Sequence, residues 1–150
     1  MQLLFVCTGN TCRSPMASAY AAAVLHRCGR EDIVVRSAGL AAWAGSPASD
    51  GAIAVMEQNG IDLTGFRSTR VSAPLLDGSD RIICMTGSHR RAVAELLPEG
   101  TDRIMTLLPG GADVPDPFGG PVAAYEAVWQ VMRPALDQML NQLAGENKNE

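Results

Sequence analysis

The 150-residue chain predicts an α/β fold: one domain, a four-stranded parallel sheet with helices on both faces. Three observations carry this. Short apolar runs alternate with longer helical stretches, the pattern of parallel strands joined by crossover helices. The length suits one domain, since two of about 75 residues would each have a marginal core. Hydrophobic residues make up 47% and charged residues 19%, which excludes a disordered chain.

The elements follow in order. Leu3 to Val6 reads as a buried strand before a small-residue loop. Ser14-Pro15 reads as a helix start, with serine as cap and proline in the first turn, and the helix runs to about Cys28 before Gly29. Ile33 to Arg36 is a second strand. A small-residue loop, Gly39 to Pro47, leads to a helix near Ser49 to Gln58, closed by Asn59-Gly60. Arg81 to Met85 is the third strand and Ser88 to Leu97 a helix. Arg103 to Met105 is a weak fourth strand. Leu107 to Gly120 is rich in glycine and proline and reads as an ordered loop. The last helix spans about Val122 to Leu143, with Pro134 expected to kink or split it. The domain is taken as residues 1–144, followed by a polar tail, 145–150.

Charge and composition narrow the function classes. The net charge of -4 does not suit a nucleic-acid binder, which needs clustered positive charge. No apolar run reaches the roughly 20 residues of a membrane span, and the N-terminus lacks a signal-peptide pattern, so a soluble cytoplasmic protein is expected. The only lysine is Lys148, in the tail, which excludes Schiff-base chemistry and a Walker A loop. Four cysteines without a C-x-x-C pair, and two distant histidines, suggest neither a disulfide scaffold nor a zinc site. No cofactor and no metal are expected.

Ligands of parallel sheets bind at the carboxyl ends of the strands, which directs attention to the loop after Val6. It reads Cys7-Thr8-Gly9-Asn10-Thr11-Cys12-Arg13-Ser14-Pro15. Five residues between Cys7 and Arg13 can curl so that backbone N–H groups form an anion-binding nest, reinforced by the helix N-terminus. Arg13 can grip two oxygens of a tetrahedral oxyanion. Gly9 allows close backbone approach and Asn10 tolerates a left-handed conformation. The same field favours a thiolate at Cys7, and a thiolate beside a phosphate cradle is a nucleophile for phosphoryl transfer. Cysteine at a strand end is also common as a core residue, but the flanking strand, helix and loop composition favour chemistry.

The run Leu4 to Ala17 resembles the signature of the low-molecular-weight protein-tyrosine-phosphatase family. The resemblance continues in Arg36-Ser37-Ala38-Gly39, Ile83-Cys84-Met85 and Asp116-Pro117-Phe118-Gly119-Gly120. It implies strand order 2-1-3-4 and a metal-free hydrolysis through a phosphocysteine intermediate. By this resemblance Cys7 is the nucleophile, Arg13 holds the phosphoryl group and Asp116 is the general acid, with Asp113 as the nearby competitor. Asn10, Ser14 and Ser37 match residues that hold the loop in shape, while Arg67 stands where the family usually has a histidine of that network. A reversible Cys7–Cys12 disulfide under oxidation is also implied. Cys28 and Cys84 are expected to pack as small hydrophobes, and His26 and His89 to lie on the surface.

The implied partners are phosphorylated proteins, with phosphate and other oxyanions as ligands; oligomeric state is not legible. Phosphotyrosine is the first substrate reading, supported by Trp43, which matches a cleft-lining aromatic; Trp43 and Phe118 are the candidate selectors should Thr11 not be one. Thr11 favours an alternative: tyrosine-directed members usually carry an aliphatic residue there, and Thr11 with the Asp116–Gly120 run resembles the protein-arginine-phosphatase subgroup. An arsenate reductase on the same scaffold would need a relay of two further cysteines in one mobile segment, where only Cys84 stands. A non-catalytic phosphate-binding module is disfavoured because nucleophile, anion ligand and acid are all present.

Overall fold

A computed structural model of the chain describes residues 1–146. Four parallel strands, β1 (Gln2–Cys7), β2 (Val34–Gly39), β3 (Arg81–Cys84) and β4 (Ile104–Thr106), form one sheet in the order β2-β1-β3-β4. This is the expected order. β1 is central, with Cys7 opposite Gly39 and Val6 opposite Cys84. Its side chains Leu3, Leu4, Phe5 and Val6 are fully buried, because helices cover both faces.

Alternation along β1 divides the core. Leu3, Phe5 and Cys7 face α1 (Arg13–Arg27), α2 (Asp50–Gln58) and α5 (Val122–Gly145), where Met16, Met56, Trp129 and Met132 fill the larger cluster. Leu4 and Val6 face the smaller cluster with Ile82, Cys84, Leu76 from α3 (Ala73–Asp77) and Val93 from α4 (Gly87–Leu96). The carboxyl ends of β1 and β3 therefore open on the same edge of the sheet.

Several local expectations need correction. α1 begins at Arg13, and Ser14 does not cap it, because its hydroxyl is engaged in a buried network described below. β2 runs on to Gly39. The short α3, capped by Ser72 Oγ accepting from the Leu75 N–H, falls where the sequence shows no periodicity. α5 is one continuous helix through Pro134. Cys28 is exposed rather than packed. His89 is buried, while His26 is exposed and lies 3.1 Å from Glu31. The tail begins within α5, which includes Gly145, and positions 147–150 lie outside the described residues. Among the described residues no helix is long and apolar enough to cross a membrane.

Candidate active site

β1 ends at Cys7 and α1 starts at Arg13, so five residues turn the chain at the carboxyl edge of the sheet. The turn is tight because Asn10 takes a left-handed backbone, φ 57°, which asparagine tolerates better than most residues. The loop is clamped from outside. Leu40 N–H donates to Cys7 O at 3.0 Å and Ala41 N–H to Thr8 O at 2.9 Å. Gly39 makes that approach possible: a Cβ there would lie 2.5 Å from Thr8 O and 2.9 Å from Asn10 N.

A buried network lies beneath the loop. Asn10 Nδ2 donates to Ser14 Oγ at 2.7 Å. The Ser14 hydroxyl, an acceptor there, also lies 2.8 Å from Cys7 Sγ, with its own proton free to donate to the sulfur. Asn10 N–H also donates to the sulfur, at 3.3 Å. Cys7 Sγ thus sits between the Ser14 hydroxyl and a main-chain N–H that donates to it. Asn10 Oδ1 accepts from Thr69 N–H at 2.8 Å, so the support comes from main chain. Arg67, at the position of the family's usual histidine, instead donates to the carbonyls of Phe66 and Thr64. Ser37 lies apart, in a cleft with Phe66, Arg67 and Thr69, and makes none of these loop contacts.

Arg13 is buried and donates from Nη1 to Val114 O at 3.0 Å. Val114 N–H in turn donates to Met85 O, which fixes the segment before the acid to the end of β3. Arg13 Nη2 lies 3.6 Å from Asp116 Oδ2, and Nε is buried with no hydrogen-bond partner among the described residues. Asp116 is 53% exposed, and its Oδ1 accepts from Phe118 N–H. Asp113 is turned elsewhere, accepting from Gly87 N–H at the start of α4.

Cys7 through Arg13, Asp116 and Phe118 enclose a pocket of about 230 Å³. Phe118, 73% exposed, stands on its wall. Trp43, 86% exposed, is not among the lining residues. Thr11 lines the pocket with its hydroxyl 3.7 Å from Cys12 Sγ. None of the four cysteines is joined in a disulfide. Cys12 Sγ contacts Ser49 Oγ at 3.1 Å and the Tyr125 hydroxyl at 3.4 Å, and burial with this sulfur contact holds that phenol above its usual range. Cys84 points into the other core cluster, and burial pushes its thiol up to about 12, so it makes a poor relay thiol.

Sequence reasoning missed His89, whose Nε2 is 2.8 Å from Thr8 Oγ1. Among the described residues no cluster of histidine, cysteine and carboxylate side chains could hold a metal ion.

A cysteine sulfur held by a hydroxyl and a main-chain N–H, a loop curled before a helix N-terminus, a buried arginine and a carboxylate at the rim define a cysteine-dependent phosphatase. The chain matches the family described as low molecular weight phosphotyrosine protein phosphatase over residues 2–149. It belongs to that family and is a hydrolase acting on phosphorylated protein substrates. A protein-arginine-phosphatase of Geobacillus stearothermophilus is 37% identical over 149 residues, 97% of each chain. The low molecular weight protein-tyrosine-phosphatase YfkJ of Bacillus subtilis is 32% identical over 99% of each chain. A solved YwlE arginine phosphatase, a C7S mutant with a phosphorylated active-site serine, superposes with a TM-score of 0.92 at 32% identity, covering all of both chains.

Proposed function

We propose that this phosphatase hydrolyses phosphoarginine in proteins, through a phosphocysteine at Cys7. The observation that carries the substrate reading is Thr11 on the pocket wall, supported by full-length similarity to arginine phosphatases. This reverses the order of the two substrates expected from sequence, where phosphotyrosine stood first.

The Cys7 thiolate attacks phosphorus, the S–P bond forms and the P–N bond breaks. Asp116 gives its proton to the leaving guanidino nitrogen. Water then attacks phosphorus, Asp116 takes its proton, and the S–P bond breaks to release inorganic phosphate and the Cys7 thiolate. Arg13, whose Nε has no partner among the described residues and whose Nη2 faces Asp116 at the rim, grips the equatorial oxygens with the loop amides. Asn10 and Ser14 hold the sulfur in line.

A guanidino group brings N–H donors into the pocket. Thr11 offers an oxygen to one of them or to the attacking water, whereas an aliphatic wall would leave a donor unpaired at a cost of about 1–3 kcal/mol. That corresponds to a preference of roughly tenfold to hundredfold. Phosphotyrosine remains the second reading because Phe118 stands on the wall, where a flat ring could stack. The test compares phosphoarginine and phosphotyrosine peptides on the wild type, Thr11→Ile and Thr11→Val. The expected result is a phosphoarginine preference that both substitutions erode. A wild type that prefers phosphotyrosine, with a ratio unmoved by either change, refutes the reading.

A further inference from the structure

We propose that His89 is a positioning residue of the phosphate loop, holding Thr8, the residue after the nucleophile, through its Nε2. The inference rests on the phosphatase activity of the site and adds a residue to its machinery.

His89 sits in the first turn of α4, at the carboxyl end of β3, and β3 lies beside β1. Its ring reaches across the sheet edge, and Nε2 meets Thr8 Oγ1 at 2.8 Å. The side is closed to water: His89 is only 7% exposed. Both ends of this strut are fixed. On one side the His89 N–H donates to Thr86 Oγ1, and the same helix start is tied through Gly87 N–H to Asp113, three residues before Asp116. On the other side Thr8 O accepts from Ala41 N–H. Residue 8 is thus gripped twice, by its carbonyl from the β2 side and by its hydroxyl from the α4 side. Those two grips determine which way the peptide after Cys7 faces.

The ring's protons can be assigned from its surroundings. Nδ1 is buried and has no partner among the described residues. A buried N–H without an acceptor is rarer than a buried lone pair without a donor, so the proton belongs on Nε2. His89 then donates to Thr8 Oγ1, and the Thr8 hydroxyl keeps its own proton for the pocket it lines. The charge around the ring favours this single state. Burial first, and the Arg13 guanidinium second, push the imidazole down to about 4, against a weaker upward pull from Asp113 and Asp116. Throughout the neutral range the strut carries no charge that would compete with Arg13 for the oxyanion.

A residue that merely filled space between α4 and the loop would be replaced by leucine at the expense of stability alone. A positioning residue loses turnover, and a side chain that restores the donor restores the rate. The experiment measures kcat/KM with p-nitrophenyl phosphate and inhibition by orthovanadate, alongside thermal unfolding, for His89→Leu, His89→Gln, Thr8→Val and the His89→Leu/Thr8→Val pair. His89→Leu and Thr8→Val are each expected to lower kcat/KM and weaken vanadate inhibition by roughly tenfold, the scale of one hydrogen bond. His89→Gln, whose amide nitrogen reaches the position of Nε2, should recover most of that loss. The double variant should be no slower than either single one, since both remove the same contact. Wild-type kcat/KM in Thr8→Val, glutamine no better than leucine, or losses that add in the pair would each overturn the proposal. Thr8 is exposed, so its variant carries the test even where His89→Leu does not fold. A wild type without metal-free turnover would refute the phosphatase reading instead, which separates the two failures.

Discussion

Gly39→Ala puts one methyl group against the backbone of the catalytic loop, and the structure sets the scale of the damage. The added Cβ would lie 2.5 Å from Thr8 O, 2.9 Å from Asn10 N and 2.9 Å from Ala42 Cβ. Two of the three are main-chain atoms of the loop, so no rotamer change relieves the contact. If β2 moves away, the Leu40 N–H to Cys7 O and Gly39 N–H to Thr69 O bonds stretch. If the loop moves, Asn10 moves with it, and Asn10 touches both Ser14 and Cys7 Sγ. Overpacking of this kind costs about 1–3 kcal/mol. At about 2–4 °C per kcal/mol for a chain near this size, the melting temperature should fall by about 3–10 °C. The rate should suffer more, because displacement of reacting groups by up to about 1 Å costs as much as roughly hundredfold. Gly100→Ala is the control: its Cβ would crowd Arg103 and Leu97 at 2.6–2.8 Å, away from the site. The assay is p-nitrophenyl phosphate turnover at 25 °C on variants shown to be folded at that temperature. Gly39→Ala with wild-type kcat/KM, or Gly100→Ala equally slowed, would show that the β2 end does not set the geometry of the loop.

Asp116→Asn should slow hydrolysis of a poor leaving group by about 10²–10⁴-fold, and that of an activated aryl phosphate far less. Asp113→Asn should leave that contrast intact, because Asp113 is occupied with Gly87 N–H; the reverse pattern would transfer the acid role to Asp113. The buried His89 also makes stability depend on acidity. Its folded value, about 4, lies below the ordinary imidazole value of 6.5, so the unfolded chain binds more protons between those limits and stability falls as pH drops through that window. Between pH 7 and 4.5 the loss should be about 2 kcal/mol by urea unfolding, and His89→Gln should lack that share of the slope; equal slopes would refute it. Mild peroxide should inactivate through a Cys7–Cys12 bond reversible by thiols, and peptide mapping that finds Cys7 paired with Cys84 would reopen the arsenate-reductase reading.

The fold and the position of the first loop were legible because both rest on features that a linear pattern carries. Alternating apolar runs and helical stretches pointed to a parallel sheet covered on both faces, the family resemblance implied its strand order, and a cysteine at the end of the first run, with an arginine at the next helix start, placed the loop. Asn10 was legible for the same reason, since its left-handed backbone is a property of residue type. The five-residue α3 was not, because one turn and a half shows no periodicity; Ser72 before Ala73-Pro74 was the signal available. Ser14 carried two readings: the cap reading fails, because its hydroxyl meets Asn10 and Cys7 instead, and that contact is of the loop-holding kind the family resemblance implied.

What sequence could not show is mostly the work of main-chain groups and of distant partners. The support expected from a side chain at position 67 comes from the Thr69 N–H, and a peptide N–H is the same at every non-proline position. The Arg67 departure therefore leaves Asn10 held. The clamps of Leu40 and Ala41 N–H on the loop carbonyls are hidden in the same way, and only Gly39, whose missing side chain makes room for them, leaves a trace in the sequence. His89 left a stronger trace than its isolation suggested. It follows the end of β3 by five residues, at the edge of the sheet where the first loop opens, and neighbouring strands of a parallel sheet bring such positions together. A histidine after the strand beside the nucleophile's own is therefore better placed in the site than on the surface, and its buried contact with Thr8 is what that topology allows.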